Sequence, residues 1–185
     1  MKLFIGCSSS DDIPSKYLVK CNQYLNEIFN RDNILVFGAY NAGIMGLAYD
    51  IALSNKREII GICPEVLKND LINLNCTKEI VTDDILSRTK ALIDEADALI
   101  FLPGGIGSIL ELIAAIDKKR NGEINKPIIL YNCCNFFDEL FVFLEKIYNE
   151  KFSSKTIKDC YYICDNVEDT LLYLDNYYKN ISIKK

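Results

Sequence analysis

Short apolar runs alternate along the chain with longer segments whose apolar positions recur every three or four residues. Period two marks strands and period 3.6 marks helices, so the alternation predicts strands joined by crossover helices. The runs are Lys2–Ile5, Ile34–Phe37, Glu58–Cys63, Lys78–Val81, Ala98–Leu102, Pro127–Tyr131 and Cys160–Ile163. Between them, Tyr17, Leu18, Cys21, Leu25, Ile28 and Phe29 keep helical spacing, as do Ile109, Leu112, Ile113 and Ile116, and both stripes read as core faces. Ala-Leu-Ile-Phe-Leu and Ile-Ile-Leu-Tyr are apolar without alternation, as expected of central parallel strands covered on both sides. The prediction is an α/β fold: a doubly wound, Rossmann-like, mostly parallel sheet of about seven strands with helices on both faces. No repeat, low-complexity block or linker divides it, so residues 1–185 are expected to form one Rossmann-like domain.

Composition narrows the chemistry. With 50% hydrophobic and 25% charged residues, the chain is far from the composition of disordered segments. Its formal charge is −5 and no basic stretch offers a phosphate-tracking face, so polymeric nucleic acid is not an expected partner. Histidine is absent, which removes Ser-His-Asp and Cys-His nucleophiles, imidazole bases and His-bearing metal sites. The eight cysteines form no C-x-x-C pair and read as reduced thiols, mostly in the core, with no metal expected. No uncharged apolar run approaches the roughly 18 residues of a membrane span, and the apolar start before Cys7 is shorter than the roughly 7 to 15 residues of a secretory signal. The expected location is the cytoplasm, with no membrane partner.

In parallel α/β sheets, ligands bind beyond the carboxyl ends of strands, where loops run into helix N-termini. Pro103-Gly104-Gly105-Ile106-Gly107-Ser108 occupies such a loop, between the run ending at Leu102 and the helical pattern from Ile109. Glycines permit close approach of a ligand to backbone, and the helix end presents unpaired N–H groups, so the segment reads as an anion cradle suited to phosphate. A plainer reading makes Ser108 an N-cap and Glu111 the partner in an S-x-x-E capping box, which leaves Gly104, Gly105 and Gly107 unaccounted for. A second glycine loop, Gly38-Ala-Tyr-Asn-Ala-Gly43-Ile-Met-Gly46, carries Tyr40 where a dinucleotide fingerprint needs bare backbone, and neither loop ends in G-K-[ST]. Arg88 falls in the helix after Lys78–Val81, toward the same sheet edge as Glu111, where a cation would offset phosphate–carboxylate repulsion.

These residues resemble the Lonely Guy (LOG-type) phosphoribohydrolases, formerly described as possible lysine decarboxylases. Pro103 to Glu111 is similar to the family's P-G-G-x-G-T-x-x-E motif, and Arg88, fifteen residues before Pro103, is in register with its catalytic arginine. Gly38 to Gly46 resembles G-G-G-x-x-G-L-M-G, Ile5-Gly-Cys-Ser-Ser9 resembles the opening strand and loop, and Ile60–Pro64 and Lys126–Asn132 match two further landmarks. The resemblance implies hydrolysis of the N-glycosidic bond of a nucleoside 5'-monophosphate, AMP or an N6-substituted AMP, to free base and ribose 5-phosphate. It implies Arg88 and Glu111 as catalytic groups, no cofactor, a homodimer, and a nucleotide held by Gly104, Gly105, Gly107 and Ser108 with Ser8, Gly38, Gly43 and Met45. Ser108 for threonine, Thr89 for lysine, Ala39 and Tyr40 for two glycines, and Ala114 for a second glutamate depart from the pattern; they bear on substrate identity more than on chemistry. A competing expectation is a non-catalytic binder of a phosphorylated ligand, resembling molybdenum-cofactor carriers or a nucleotide sensor. A pyridoxal-phosphate decarboxylase has least support, because no lysine stands out as a Schiff-base former.

Overall fold

The computed structural model describes residues 1–69, 73–153 and 157–183. Strands β1 (Lys2–Gly6), β2 (Ile34–Phe37), β3 (Ile59–Pro64), β4 (Lys78–Thr82), β5 (Ala98–Phe101), β6 (Ile128–Tyr131) and β7 (Tyr162–Cys164) form one sheet. Helices α1 (Ser15–Asn30), α2 (Gly43–Ser54), α3 (Ile85–Glu95), α4 (Ile106–Arg120), α5 (Asp138–Asn149) and α6 (Val167–Ile183) accompany them. The spatial order is β4-β3-β2-β1-β5-β6-β7 and every pairing is parallel. The fold is therefore the doubly wound α/β sheet that the pattern predicts.

The pleat divides each strand between two cores. Leu3, Ile5, Leu35, Phe37, Ala98, Ile100, Ile129 and Tyr131 pack with Cys21, Leu25 and Ile28 of α1, Ile44 and Ala48 of α2, and Leu174 of α6. Their neighbours Phe4, Val36, Leu99, Phe101, Ile128 and Leu130 pack with Leu92 and Ile93 of α3, Leu112 and Ala115 of α4, and Leu144 of α5. Two buried faces explain why the central runs lack polar alternation. The edge strand β4, Lys-Glu-Ile-Val-Thr, is largely exposed and carries charge where an unpaired sheet edge faces water.

Two expectations shift. The last strand starts at Tyr162, not Cys160, because Ile157–Cys160 closes into a 3₁₀ turn that buries Ile157 and Cys160. On α4, Leu112 and Ile116 are buried, but Ile113 is 39% exposed and lies on an outer row with Leu110 and the 86%-exposed Ile106. Among the described residues, no helix is long and apolar enough to cross a membrane.

Candidate active site at the switch between β1 and β5

From β1 the chain winds toward β2 on one side, and from β5 it winds toward β6 on the other, so the loops after β1 and β5 diverge. Such a switch point opens a crevice at the carboxyl ends of the strands. Here the two loops are tied together: Leu102 N donates to Gly6 O (2.9 Å) and Ser8 N to Pro103 O (3.0 Å). Met45 N of α2 donates to Ser8 O (2.9 Å), and the Ser108 hydroxyl donates to Cys7 O (2.9 Å). These bonds border a cavity of about 300 Å³ lined by the Cys7–Ser10 loop, Met45, Arg88, Gly105–Ser108 and Glu111.

The capping-box reading fails in this geometry. The N-cap of α4 is Gly105, with no side-chain cap, and Ser108 is the third residue of the helix. The first α4 backbone bond runs from Ile109 N to Gly105 O, so the N–H groups of Ile106, Gly107 and Ser108 precede it and lack intrahelical partners. A Cβ on Gly105 or Gly107 would meet nothing within 4 Å, so the cavity approaches bare backbone at both. Gly104 has a different task, since a Cβ there would stand 2.3 Å from Ser108 Oγ. Unpaired amides at the positive end of a fifteen-residue helix form an anion-binding surface.

Arg88, one turn into α3, reaches back over the strand ends. Its Nε donates to Ile62 O (3.2 Å), Nη2 to Gly38 O (3.2 Å) and Nη1 to Glu111 Oε1 (3.1 Å). Three of its five N–H donors are thereby used, which leaves one on each terminal nitrogen for a ligand. Gly38 is required by this clamp, because a Cβ there would lie 1.8 Å from Arg88 Nη2. Glu111 is only 5% exposed, and burial pushes its carboxyl up to about 7 despite the opposing pull of Arg88. The group is poised to change charge near neutrality, a property shared by many catalytic carboxyls.

A second cavity of about 300 Å³ shares Ser8, Ser10 and Gly105 with the first and is otherwise walled mainly by Ile13, Pro14, Tyr17, Ile44 and Phe136. Tyr17 and Phe136 meet edge to face at 5.6 Å. Sequence reasoning missed this wall because Tyr17 keeps the helical spacing of a core stripe; only an aromatic pair brought together by the fold reveals it. Ser8 lines both cavities. Gly43 lines neither and serves the loop instead: its φ is +58°, its N–H donates to Asp11 Oδ1 (2.8 Å), and a Cβ would stand 2.4 Å from Ser10 O. Thr89, where the family pattern has lysine, is buried, with its hydroxyl donating to Ile85 O (3.0 Å). Tyr40 is exposed. Among the described residues, no group of three or more Cys, Asp or Glu side chains could hold a metal ion.

A family model described as a possible lysine decarboxylase matches residues 45–174. Cytokinin riboside 5'-monophosphate phosphoribohydrolase LOG2 of Arabidopsis thaliana is 30% identical over 177 residues, covering 95% of this chain and 83% of its own. A rice relative, the probable cytokinin riboside 5'-monophosphate phosphoribohydrolase LOGL6, is 27% identical with 95% and 71% coverage. Among solved structures, a molybdenum cofactor carrier protein from Chlamydomonas reinhardtii superposes with a TM-score of 0.70 at 17% identity, covering 97% of this chain and 98% of that one. The molybdenum cofactor binding protein of Rippkaea orientalis gives 0.69 at 20% identity, with 95% of each chain covered. These structures share the fold, whereas the family model and the sequence relatives span most of the chain and the glycine-rich, arginine and glutamate positions together: the chain belongs to the LOG family of possible lysine decarboxylases.

Proposed function

We propose that the protein hydrolyses the N-glycosidic bond of a nucleoside 5'-monophosphate, AMP or an N6-substituted AMP, releasing the base and ribose 5-phosphate. The observation that carries this reading is the Arg88–Glu111 pair beside the three unpaired N–H groups that open α4. A pure phosphate binder needs the amides but not a buried carboxyl poised near neutrality. In the proposed reaction, the 5'-phosphate rests on the N–H groups of Ile106, Gly107 and Ser108 over the bare faces of Gly105 and Gly107. That anchor fixes the ribose against Glu111, so binding energy from the non-reacting phosphate orients the scissile bond. The transition state is oxocarbenium-like, and an ionised Glu111 stabilises it while accepting a hydrogen bond from a ribose hydroxyl or the attacking water. The spare N–H groups of Arg88 face the phosphate or the departing base. The apolar cavity across Gly105 supports a place for the base and any N6 substituent. No lysine lines either cavity, which gives a Schiff-base decarboxylase no footing.

The exposed row Ile106, Leu110 and Ile113 on α4, with Ile85 and Leu86 exposed on α3, supports pairing with a second copy, as the family resemblance implies. The free state of all eight cysteines, the exposed Cys134 included, supports a reducing compartment such as the cytoplasm.

The test is incubation with a panel of nucleoside 5'-monophosphates and with adenosine, followed by assay of ribose 5-phosphate and free base. Monophosphates should react and adenosine, lacking the anchor, should be a poor substrate. Equal turnover of adenosine and AMP would remove the cradle from the mechanism, and binding of monophosphates without release would make the protein a carrier or sensor.

A further inference from the structure

Phe136, one of the two aromatic walls of the apolar cavity, is delivered by a turn that the backbone would not adopt unaided. Within the 3₁₀ turn Cys133–Asn135 after β6, Cys134 and Asn135 are consecutive non-glycine residues at φ +56° and +60°, a conformation that persists only where the surroundings impose it. Asn132, 8% exposed, supplies that constraint. Its backbone N–H donates to Cys164 O of β7 (2.8 Å), and its carbonyl accepts from Asn135 N across the turn (3.1 Å). Its side chain works from the other end: Oδ1 accepts from Phe137 N (2.8 Å), and Nδ2 donates to Asp138 Oδ1 (2.8 Å) at the start of α5. Bonds from one residue thus close the segment from β6 to α5. Two neighbouring rings are thereby sent apart. Phe137, 2% exposed, enters the core beside Phe141, while Phe136 stands edge to face with Phe137 (5.0 Å) and with Tyr17 of α1 (5.6 Å). Asn132 itself lines neither cavity.

We propose that Asn132 is a positioning residue for base selectivity: by clipping the Phe137 N–H and the Asp138 carboxylate together, it holds Phe136 against Tyr17 so that the cavity admits an apolar substituent on the base. This rests on the reading that the base lies in the apolar cavity. The clip depends on direction. Asn132 needs both halves of its amide at once, the oxygen for a backbone N–H and the nitrogen for a carboxylate. Asn132→Asp would keep the acceptor, lose the donor and set two carboxylates against each other, releasing the turn with almost no change in side-chain size. Adding Asp138→Asn restores the bond with its direction reversed, because the new amide on α5 donates to the new carboxylate, and the charge of the pair is unchanged. The bonds of the clip end on β7, the turn and α5, and none reaches the α4 cradle. A released Phe136 therefore weakens what fills the apolar cavity and spares what fills the cradle alone.

Two ligands separate the outcomes in the whole chain: ribose 5-phosphate, which fills only the cradle, and N6-butyl-AMP, which also fills the apolar cavity. Affinity is read as KM where the protein releases base and as Kd by calorimetry where it only binds. Asn132→Asp should weaken N6-butyl-AMP about tenfold and leave kcat and the ribose 5-phosphate affinity within about twofold. Asn132→Asp with Asp138→Asn should recover the wild-type affinity. Phe136→Ala should reproduce the loss, and adding Asn132→Asp to it should cost nothing more. Unchanged N6-butyl-AMP affinity in Asn132→Asp, equal loss of both ligands, no recovery in the exchanged pair, or a further loss on top of Phe136→Ala would overturn the proposal. Binding of N6-butyl-AMP by the wild type without release of its base would remove the hydrolase reading and leave this inference standing. Failure of the wild type to bind N6-butyl-AMP more tightly than ribose 5-phosphate would place the substituent outside the cavity and end it.

Discussion

Substituting Gly38 with alanine tests whether the Arg88 clamp positions the reaction. The new methyl would stand 1.8 Å from Arg88 Nη2, 3.0 Å from Cζ and 3.2 Å from Met45 Cε. Non-bonded heavy atoms settle at about 3.5 to 4.0 Å, so the guanidinium has to retreat by roughly 1.5 to 2 Å. Nothing in the backbone of Gly38 objects to alanine, because its φ lies outside the left-handed region. The retreat breaks the Nη2 bond to Gly38 O and pulls Nη1 from Glu111, two contacts made by a charged donor and worth about 1.5 to 3 kcal/mol each. A displacement of about 1 Å in a catalytic constellation costs on the order of a hundredfold. Release of ribose 5-phosphate from AMP should therefore drop about a hundredfold in kcat/KM for Gly38→Ala, approaching Arg88→Ala. The double variant should be no slower than Arg88→Ala alone, since both changes act through one side chain and their effects do not add. Near-normal turnover by Gly38→Ala, or multiplied losses in the double variant, would refute the clamp.

Three further outcomes follow from the same geometry. Glu111→Gln should slow turnover by at least about a hundredfold, equivalent to about 2.7 kcal/mol of barrier. Its carboxyl, raised from 4.5 to about 7 in the folded protein, makes the folded state hold a proton that the unfolded chain releases. The corresponding stability is full below pH 4.5 and is lost as pH rises through 7, by about 3 kcal/mol in total; urea titrations from pH 4 to 8 should show this slope and Glu111→Gln should flatten it. Gly107→Ala should raise stability by roughly 0.5 to 1 kcal/mol, because alanine suits a helix and meets open space, while KM for AMP rises as the methyl intrudes on the cradle; an unchanged KM would place the phosphate elsewhere. Leu110→Glu with Ile113→Glu should leave a folded monomer by light scattering, and a dimer surviving both changes would move the interface off α4.

What was legible in the sequence depended on how local its cause is. Strand and helix identity follows from periodicity within a segment, and the three glycines before Ser108 announce bare backbone wherever the chain folds. The boundary of α4 was less legible: S-x-x-E fits a helix starting at Ser108 as well as one starting three residues earlier, and the choice is made by the Ser108 hydroxyl binding Cys7 O on another strand's loop. Gly38 looked like a second phosphate contact, yet its task comes from Arg88, fifty residues away in sequence, whose guanidinium occupies the space a side chain would take. The pair Tyr17–Phe136 was illegible for the same reason, since Tyr17 keeps the spacing of a core stripe and only the fold brings Phe136 against it. Parallel topology alone places Arg88 and Glu111 at one sheet edge, and the family resemblance adds a catalytic role to both. It left the reason for the linkage open: a buried carboxyl needs a cation to remain ionisable near neutrality, and the crevice between β1 and β5 is where a helix from each side of the switch can supply one of the two.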